Sequence, residues 1–512
     1  MAAWGLAMAC LGTLYTTLPA SPDHALFDYI AWSHLQGAPY YAGVAEQNWP
    51  GQILLHELAI RLFGVHFWTF RLFDFLLLLG ITAAGAAMLR RLGYGTAAAV
   101  FALLYPAVYV CANAWTAGQR DIVAAGLLLV AASRVCVDPR QTPQRAALPL
   151  NRLVSGAVIG YAFLIRPTFL SYLPILMLAD GVGVRSAAGW TREIAKRWAW
   201  TLLGFGAVVA VVLAAGWAAG SLRAFHEQAI LFNLQAYPNS TTYPDLAAKA
   251  LRILGSSWHW LTAFALLGAV LWVARSRERR PQMLVLGLAV TILVSYFFQR
   301  KGFGYHLEAL ILPLAVLGAI AVEMLRQAGS IPRRGFAATG LRAAMASVVL
   351  VMALGSVKKL TSYEPTVRAL AAGQHKPLDG ETDAVSWEQT FQVVDMIRRN
   401  SRADEPMLQW GRNYAIAFLS ERTSSTRFVV TPALDLLGPQ FRGTAAWLEE
   451  FDRSLTGARP RFVLIERSEL RGTLPPYAPK DGASEALKIV VRHLDGYTPV
   501  HQAGPIILLR RP

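Results

Sequence analysis

The chain has 512 residues, of which 54% are hydrophobic and only 16% are charged, and its mean hydropathy is +0.38. A soluble globule of this length needs more polar surface, so the composition indicates a polytopic membrane protein. The formal net charge of +16 would favour a nucleic-acid partner in a soluble protein, but the lysines and arginines gather in short loops between apolar segments, so we expect no nucleic-acid partner.

The cysteines and short motifs exclude further classes. Cys10, Cys111 and Cys136 lie in or beside apolar segments, and an odd number placed in this way is not typical of a disulfide framework. We find no metal-binding, phosphate-loop or dinucleotide-binding motif in a supporting context, so we expect neither a metal ion nor an organic cofactor. The first apolar segment lacks a preceding basic region, and we interpret it as a retained helix and not as a signal peptide.

Apolar segments recur along most of the chain. A helix needs roughly 20 apolar residues to cross a bilayer, because unsatisfied backbone groups are too costly in hydrocarbon. This criterion predicts about eleven spans, so the fold class is mainly α. The predicted spans are 2–20, 67–89, 95–113, 121–136, 153–165, 167–181, 198–219, 257–274, 282–299, 306–325 and 340–358. The fifth and sixth are short and meet at Arg166, so a re-entrant pair is the alternative.

The loops between these spans predict the orientation. Every second loop carries arginine or lysine, which is typical of the cytoplasmic side. The basic loops lie around 90–91, 134–152, 185–197, 275–280 and 326–342. The loops between them are richer in aromatic and acidic residues, so we expect them outside, in the periplasm of a bacterial inner membrane protein.

The composition changes after residue 357 to a soluble pattern, in which glycine, proline and charges interrupt short apolar runs. Strand-like and helix-like segments alternate there, which predicts a small α/β domain outside the cytoplasm. The predicted helices are 387–399, 413–419, 444–455 and 483–494, and the predicted strands are 407–410, 427–431, 461–465 and two around Pro499 and Ile506. The domains are therefore 1–358, a transmembrane domain with outer loops 21–66 and 221–256, and 359–512.

The outer loop 21–51 is rich in polar and aromatic residues. Asp23 follows a proline and precedes apolar residues at helical spacing, which predicts a helix lying on the membrane surface and beginning at this aspartate. The alternative is that Asp23 only caps the helix. Asp28 lies four residues after His24, so both would share one helix face, where a surface hydrogen bond is more common than a catalytic pair.

Polar residues also mark the outer end of the fourth predicted span. Gln119, Arg120 and Asp121 lie on the same predicted side as Asp23. Two carboxylates and an arginine outside the membrane could hold a hydroxyl nucleophile and a leaving phosphate. The alternative is a helix start at which Asp121 is a favourable first-turn anion.

Basic residues mark two further places. Arg300 and Lys301 depart from the rule that outer loops are poor in such residues, and nearby glycines let the backbone approach a ligand. Arginine and lysine neutralise phosphate, and a contact with lipid head groups is the alternative. Arg166, between two apolar half-spans, is too costly to lack a partner, which would be an anionic ligand or one of the carboxylates.

Together these segments resemble the membrane glycosyltransferases of the GT-C fold that use polyprenyl-phosphate sugars. The resemblance is to the bacterial branch related to protein O-mannosyltransferases and the lipid A aminoarabinose transferase. The motifs occur in family order along the whole chain: Asp23-His24, Gly37-Ala38-Pro39-Tyr40, Pro50-Gly51, Leu62-Phe63-Gly64, Arg71, the run through Arg166 and the run ending at His306. His24 departs from the pattern, since the family often has glutamate there.

The resemblance implies an inverting transfer from a polyprenyl-phosphate sugar to a hydroxyl of an envelope glycan, lipopolysaccharide or protein, at the outer face of the bilayer. Asp23 would be the catalytic base, with Asp28 and Asp121 competing as the second functional carboxylate. The residues assigned to the donor phosphate are Lys301, Arg166, Arg120, Arg300 and His306. The residues assigned to the acceptor or sugar are His24, Tyr40, Glu46, Asn48 and Tyr305.

Three other classes remain open at this point. A ligase or polymerase of the O-antigen type would also have many spans and outer arginines, but with a large arginine-rich outer loop and no α/β tail. A transporter would place ionisable groups near the middle of the membrane, often in repeated halves. A non-catalytic protein of envelope assembly could keep the fold without the chemistry.

Overall fold

The computed structural model of the chain describes residues 2–18, 20–111, 115–136, 148–182, 187–237, 241–256, 258–329, 364–373, 385–472 and 474–512. The chain divides into two units. The first comprises Met1–Tyr15, Leu72–Val212 and Asn239–Gln374, and the second comprises Thr16–Arg71, Leu213–Pro238 and His375–Pro512.

Helices dominate the described residues. Those of the first two thirds of the chain are α1 (Ala2–Tyr15), α2 (Pro22–Leu35), α3 (Pro50–Phe63), α4 (Thr69–Arg91), α5 (Gly95–Val110), α6 (Arg120–Val135), α7 (Leu148–Ile165), α8 (Tyr172–Gly181), α9 (Ala187–Ala218), α10 (Leu222–Phe225), α11 (Asn233–Gln235), α12 (Tyr243–Ser256), α13 (His259–Arg275), α14 (Arg279–Gln299), α15 (Tyr305–Glu308) and α16 (Ile311–Gly329). The remaining helices are α17 (Glu364–Ala371), α18 (Trp387–Asn400), α19 (Tyr414–Ser420), α20 (Thr431–Asp435), α21 (Thr444–Ala458) and α22 (Glu485–Arg492). A 3₁₀ turn spans Pro167–Ser171 and a π-helical turn spans His226–Phe232.

Several helices are long and apolar enough to cross a membrane. Within the described ranges four meet this criterion: Thr69–Arg91, Arg192–Ala218, Arg279–Gln299 and Tyr305–Ala328. The pair α12 and α13, bent by 95°, makes a fifth if it is one span. The shorter apolar helices include α5 and most of α7. The chain is thus a mainly helical protein with several candidate spans, and the number eleven stays a prediction.

Glycines let helices of the first unit approach closely. A Cβ on Gly268 of α13 would lie 2.0 Å from the carbonyl oxygen of Leu317 in α16, and one on Gly156 of α7 would lie 1.9 Å from that of Thr201 in α9. No larger residue fits at either position without a shift of the backbone. Small residues of this kind bring helix backbones into van der Waals contact where lipid supplies no hydrophobic driving force.

The second unit contains a four-stranded sheet near the C-terminus. Its strands are β1 (Met407–Trp410), β2 (Phe462–Glu466), β5 (Thr498–Ala503) and β6 (Ile506–Arg510), in the spatial order β1-β2-β6-β5. The pair β1 and β2 is parallel, and the other two pairs are antiparallel. A two-stranded sheet is formed by β3 (Leu470–Arg471) and β4 (Ala478–Pro479).

Both faces of the four-stranded sheet are covered, because neighbouring side chains of a strand point to opposite sides. On one face Met407, Phe462, Leu464, Ile506 and Leu508 share an apolar cluster with α2, α18 and α19. On the other face Leu408, Trp410, Val463, Ile465, Ile507 and Leu509 share a cluster with α21 and α22. The unit therefore has an α/β core, as predicted for the C-terminal part of the chain.

The helix that carries Asp23 is part of this core. Almost all of α2 is buried, and it packs against α3 and α19 within the second unit. Protein side chains therefore surround it, and its position at the membrane surface stays a prediction. The expectation that Asp23 caps it is wrong, because Ser21 is the N-cap and its Oγ accepts a hydrogen bond from the backbone N–H of His24 at 3.3 Å.

Of the other predicted helices and strands, some are confirmed, one is wrong and one lies outside the described residues. The predicted strand 427–431 is wrong, because residues 428–430 belong to no strand and Thr431 begins α20 with a proline in its first turn. The strand at 407–410 and the helices near 387–399 and 444–455 are confirmed. The predicted span 340–358, and the predicted domain boundary at residues 358 and 359, lie outside the described residues.

Candidate active site

Arg166 of the first unit lies at a break between helices. The residue before a proline is pushed out of the helical region, and Arg166 accordingly has φ −144° and ψ 95° before the turn Pro167–Ser171. Its side chain leaves the end of α7 and is 8% exposed. The sequence predicts this break, and its consequence is a guanidinium held inside the protein.

The guanidinium of Arg166 joins three helices. Its Nε donates to Oδ1 of Asp121 in α6 at 3.0 Å, and one terminal nitrogen donates to Oε1 of Gln299 in α14. The same terminal nitrogen lies 3.1 Å from Nε2 of His306 in α15. Asp121 and His306 are 1% and 2% exposed, so the cluster is shielded from solvent.

The hydrogen bonds of this cluster leave two polar atoms without a partner. A guanidinium can only donate, so Nε2 of His306 accepts and its proton is on Nδ1. That Nδ1 and Oδ2 of Asp121 are both buried and have no hydrogen-bond partner among the described residues. Leaving such groups unbonded costs about 1–3 kcal/mol each. The cluster therefore presents one spare donor and one spare acceptor.

Further cations belong to the same unit. Arg120 lies in the first turn of α6 and is 8% exposed, and Lys301 is half-buried. Arg300 is occupied differently: it has φ 50°, its Nε donates to the carbonyl of Thr241 at 3.2 Å, and its guanidinium lies 5.2 Å from the ring centre of Tyr243. Of the two basic residues at 300–301, Arg300 thus holds a loop of its own unit.

Aromatic rings surround His306. The ring of Tyr305 lies 4.6 Å from that of His306 in an edge-on arrangement, and it stacks on Phe303 at 5.4 Å and on Trp115 at 6.2 Å. Tyr305 was assigned to the sugar or acceptor. Its position brings an aromatic face close to the cluster of Arg166.

A second buried ion cluster lies at the other end of α7. Both terminal nitrogens of Arg152 donate to Asp180, at 2.8 and 2.5 Å, and Arg280 donates to Oδ1 of Asp180 at 2.7 Å. Both oxygens of this carboxylate accept hydrogen bonds. Arg152 and Arg280 lie in or next to loops predicted to be cytoplasmic, and the sequence did not single out Asp180.

In the second unit, Asp23 lies in the first turn of α2 and is half-buried. A carboxylate is favoured there by the partial positive charge of the helix N-terminus. The neighbouring side chain of His24 is 1% exposed, and its ring lies 5.5 Å from that of Phe70. His24 is therefore inside the protein.

Asp28 has a partner that the sequence analysis did not identify. Its Oδ1 lies 2.7 Å from Nδ1 of His56, and Nε2 of the same ring lies 3.2 Å from the amide nitrogen of Gln52. An amide nitrogen donates, so His56 accepts at Nε2 and donates its Nδ1 proton to Asp28. The ring also stacks on Phe70, with centroids 3.5 Å apart.

Burial sets the charge of His56. Its side chain is 0% exposed, and burial lowers its pKa below the ordinary 6.5, although Asp28 raises it. The neutral ring agrees with the hydrogen-bond pattern. Asp28 and His56 therefore form a closed pair that holds α2 against α3.

The remaining residues assigned to sugar or acceptor hold the loop between α2 and α3. Tyr40 donates to Glu57 of α3. Oε1 of Glu46 accepts from the backbone and the side-chain amide of Asn48, and the backbone N–H of Glu46 donates to Gln228 of the π-helical turn at 2.8 Å. These bonds are internal to the second unit and give the loop its shape.

The structure thus brings together Asp121, Arg166 and His306, which lie far apart in the sequence. Within the described ranges, no group of three or more His, Cys, Asp or Glu side chains could hold a metal ion. Sequence reasoning missed Gln299 and His56. The only signal for Gln299 was its place beside the basic pair, and for His56 its spacing of four residues from Gln52.

Comparisons with known proteins identify the fold. No model of a known protein family matches the chain, and no curated protein sequence matches it. Among solved structures, ArnT from Cupriavidus metallidurans bound to undecaprenyl phosphate is similar with a TM-score of 0.61 and 13% identity, over 99% of this chain and 97% of that one. The apo state of the same ArnT gives a TM-score of 0.59 and 12% identity, over 99% and 98% of the two chains.

An oligosaccharyltransferase from Archaeoglobus fulgidus aligns with 91% of this chain and 70% of its own, at a TM-score of 0.46 and 12% identity. ArnT has the GT-C fold. Because the similarity to ArnT extends over nearly the whole of both chains, this chain has the GT-C fold, as its motifs predicted.

Proposed function

We propose that the chain is an integral membrane glycosyltransferase. It moves a sugar from a polyprenyl-phosphate donor to a hydroxyl of an envelope glycan, lipopolysaccharide or protein, with inversion, at the periplasmic face of a bacterial inner membrane. The observation that carries this proposal is the buried cluster of Arg166, Asp121 and His306, with its two unbonded polar atoms. It is supported by the fold, which the chain shares with an ArnT that was crystallised with undecaprenyl phosphate.

In this proposal the first unit binds the donor. Arg166, Lys301 and Arg120 supply positive charge for the phosphate, and the spare Nδ1–H of His306 donates a further hydrogen bond to it. Asp121 is a positioning residue, because its bond to Nε of Arg166 fixes the plane of the guanidinium. Charge develops on the leaving phosphate in the transition state, so fixed cations lower the barrier.

Asp23 of the second unit is proposed as the general base. The acceptor oxygen attacks the anomeric carbon on the face opposite the phosphate, so the new C–O bond forms as the bond to the phosphate oxygen breaks. The acceptor proton passes to Asp23, and the electron pair of the broken bond leaves with the phosphate. Asp28 is not free for this role, since it accepts the proton of His56 in a hydrogen bond.

Arg300, Tyr40, Glu46 and Asn48 receive positioning roles in the proposal, because each bonds to its own unit. His24, enclosed beside Phe70, supports the start of α2 next to Asp23. Tyr305 remains the aromatic residue proposed to contact the sugar. The sequence analysis assigned all of these residues to the binding of donor or acceptor. Several of them are given positioning roles here because their side chains already make hydrogen bonds within the protein.

The donor and acceptor can be found by mass spectrometry of envelope glycolipids and glycoproteins from a deletion strain. A missing sugar defines the substrates for an assay with the purified chain. We expect Asp23→Asn to lower the transfer rate by about 100-fold or more, the usual contribution of a general base, with a loss of stability limited to the helix N-terminus interaction of about 0.3–1 kcal/mol. Asp404→Asn, which alters an exposed carboxylate of the same unit, is the matched control.

Unchanged transfer by Asp23→Asn would refute this residue as the base. If the wild-type chain transfers no sugar from any polyprenyl-phosphate donor, and the deletion strain lacks no sugar, the proposed reaction is wrong and the role in envelope assembly is favoured.

A further inference from the structure

A small cavity lies next to Asp23 within the second unit. Its volume is about 30 Å³ and it is partly open. It is lined by the start of α2, the start of α18 and the segment that leads into α19. The lining residues that matter are Pro22, Trp387, Thr390, Arg412 and Asn413. The proposed mechanism of transfer uses none of them.

Trp387 lines this cavity, and its indole carries an unbonded donor. Trp387 is only 6% exposed, and its Nε1–H has no acceptor among the described residues. The ring packs against both Phe67 and Phe391, at centroid distances of 6.1 and 5.9 Å, and these two rings are 6.1 Å from each other. A buried donor without an acceptor costs about 1–3 kcal/mol, which a ligand oxygen would offset.

Two helix N-termini meet at the cavity. Pro22 is in the first turn of α2 and Trp387 is in the first turn of α18, and each helix has 14 residues. A helix N-terminus carries a partial positive charge of roughly half a unit and favours anions. Asp23 and Glu388 are the acidic residues of these first turns, and neither lines the cavity.

Arg412 adds a full positive charge at the rim. Its side chain is exposed and makes no hydrogen bond or ion pair with any residue that the structure describes. Arg412 acts on Glu466, whose pKa is raised by burial and by Glu469 and lowered by Arg412. The amide of Asn413 and the hydroxyl of Thr390 complete a lining that is richer in donors than in acceptors.

We propose that this cavity binds one oxyanion group, a carboxylate or the outer oxygens of a phosphate, of a larger molecule. The volume admits about two or three water-sized atoms, which excludes a whole sugar ring and fits such a group. The indole N–H donates to one oxygen, the guanidinium of Arg412 pairs with the charge, and the two helix N-termini stabilise it. The inference does not depend on Asp23 acting as a base.

Nuclear magnetic resonance of the full chain in detergent micelles tests this proposal directly. The chain is labelled with ¹⁵N at the tryptophan indoles, and the Trp387 signal is assigned by its absence in Trp387→Phe, which keeps an aromatic side chain and removes the indole N–H. Sodium phosphate, sodium acetate and, at equal ionic strength, sodium chloride are titrated separately. Nanodiscs with and without phosphatidic acid test whether a lipid head group is the source.

We expect the Trp387 indole signal to shift and saturate with phosphate or acetate and not with chloride. Arg412→Gln should weaken the binding about tenfold through the loss of a charge-assisted hydrogen bond, while Arg453→Gln, a change at an exposed arginine of α21, should leave it unaltered. A shift only with phosphatidic acid would also support the site and would assign it to a lipid head group.

An indole signal that moves with none of these anions overturns the proposal, because a bound water then satisfies the N–H. A shift that Arg412→Gln leaves unchanged overturns it as well. Neither result bears on the transfer reaction, which is measured separately.

Discussion

The helix α7 carries a buried arginine near each end, and the two ends differ. Arg152 and Arg166 are about 21 Å apart along the helix, at 1.5 Å per residue. At the first end, both oxygens of Asp180 accept hydrogen bonds from Arg152 and Arg280. At the second, one carboxylate oxygen of Asp121 accepts from Arg166. The other oxygen of Asp121 and Nδ1 of His306 have no hydrogen-bond partner within the described residues.

The difference separates two uses of a buried ion cluster. At Asp180 every acceptor of the carboxylate is occupied, the cluster ties helices together, and its unbonded atoms are two donors only, Nε of Arg152 and Nε of Arg280. Where a donor and an acceptor remain unbonded, the fold carries a free-energy cost that a ligand can offset. We therefore expect changes at Asp180 to act on stability and changes at Arg166 to act on the reaction.

The largest expected effect is on stability. Asp180→Asn leaves Arg152 and Arg280 buried without a countercharge, which should lower the free energy of unfolding by about 3–5 kcal/mol. The Tm of the purified protein in detergent checks this. Asp121→Asn is the matched comparison and should lower the Tm less, because it affects one arginine instead of two. An equal loss in both variants would contradict the distinction between the clusters.

The second effect is on transfer. Arg166→Gln should lower the rate by about 100-fold, or about 2.7 kcal/mol of transition-state stabilisation, because in the proposed reaction it removes a fixed cation from the leaving phosphate. Arg152→Gln, a change of the same kind on the same helix, should retain the rate per folded molecule. Comparable losses of rate in the two variants would refute a special role of the Arg166 end.

The smallest effect concerns the closed pair in the second unit. Burial lowers the pKa of His56, so below pH 6.5 the unfolded chain binds more protons than the folded chain. Its contribution to stability is present above pH 6.5 and is lost as the pH falls towards the folded-state pKa. We expect the free energy of unfolding to fall between pH 7.5 and about 5.5, by less than about 1.4 kcal/mol per pH unit for this one group, and the measured Tm to fall with it.

His56→Asn keeps a donor for Asp28 and removes the titration, so it should flatten this part of the pH profile. His66→Asn is the matched control, because it removes one histidine at an exposed position just after α3. A profile in His56→Asn as steep as in the wild type would show that other groups control the acid sensitivity.

Much of the fold was predictable because single segments specify it. The apolar runs at 407–410 and 461–465 are too short for helices and form the buried strands β1 and β2, and Pro167 predicts the break at Arg166. The segment 427–431 has the same β-branched and aromatic character, yet it forms no strand. Pro432 in the first turn of α20 favours a helix start there, and the buried side chains at 428–430 take part in the core without sheet pairing.

The candidate sites were only partly predictable, because their members are distant in sequence. Arg166 was singled out for its cost in an apolar setting and Asp121 for its place at the outer end of a predicted span, whereas the ion pair between them follows from the fold. His56 lies 28 residues from Asp28 in an amphipathic helix, where its spacing resembles ordinary packing. Trp387 and Arg412 gave no signal at all, since their chemistry depends on two helix starts that meet only in the folded chain.

The burial of α2 against α19 has a consequence for biosynthesis. The second unit combines residues from both ends of the chain, so the helix that carries Asp23 cannot complete its core until the strands near the C-terminus have been made. At 5–20 residues per second, synthesis of the roughly 470 residues between the end of α2 and β6 takes about 24–94 s. During that time α2 lacks the strands that complete its core, and a chain that stops before the sheet would leave this helix without them.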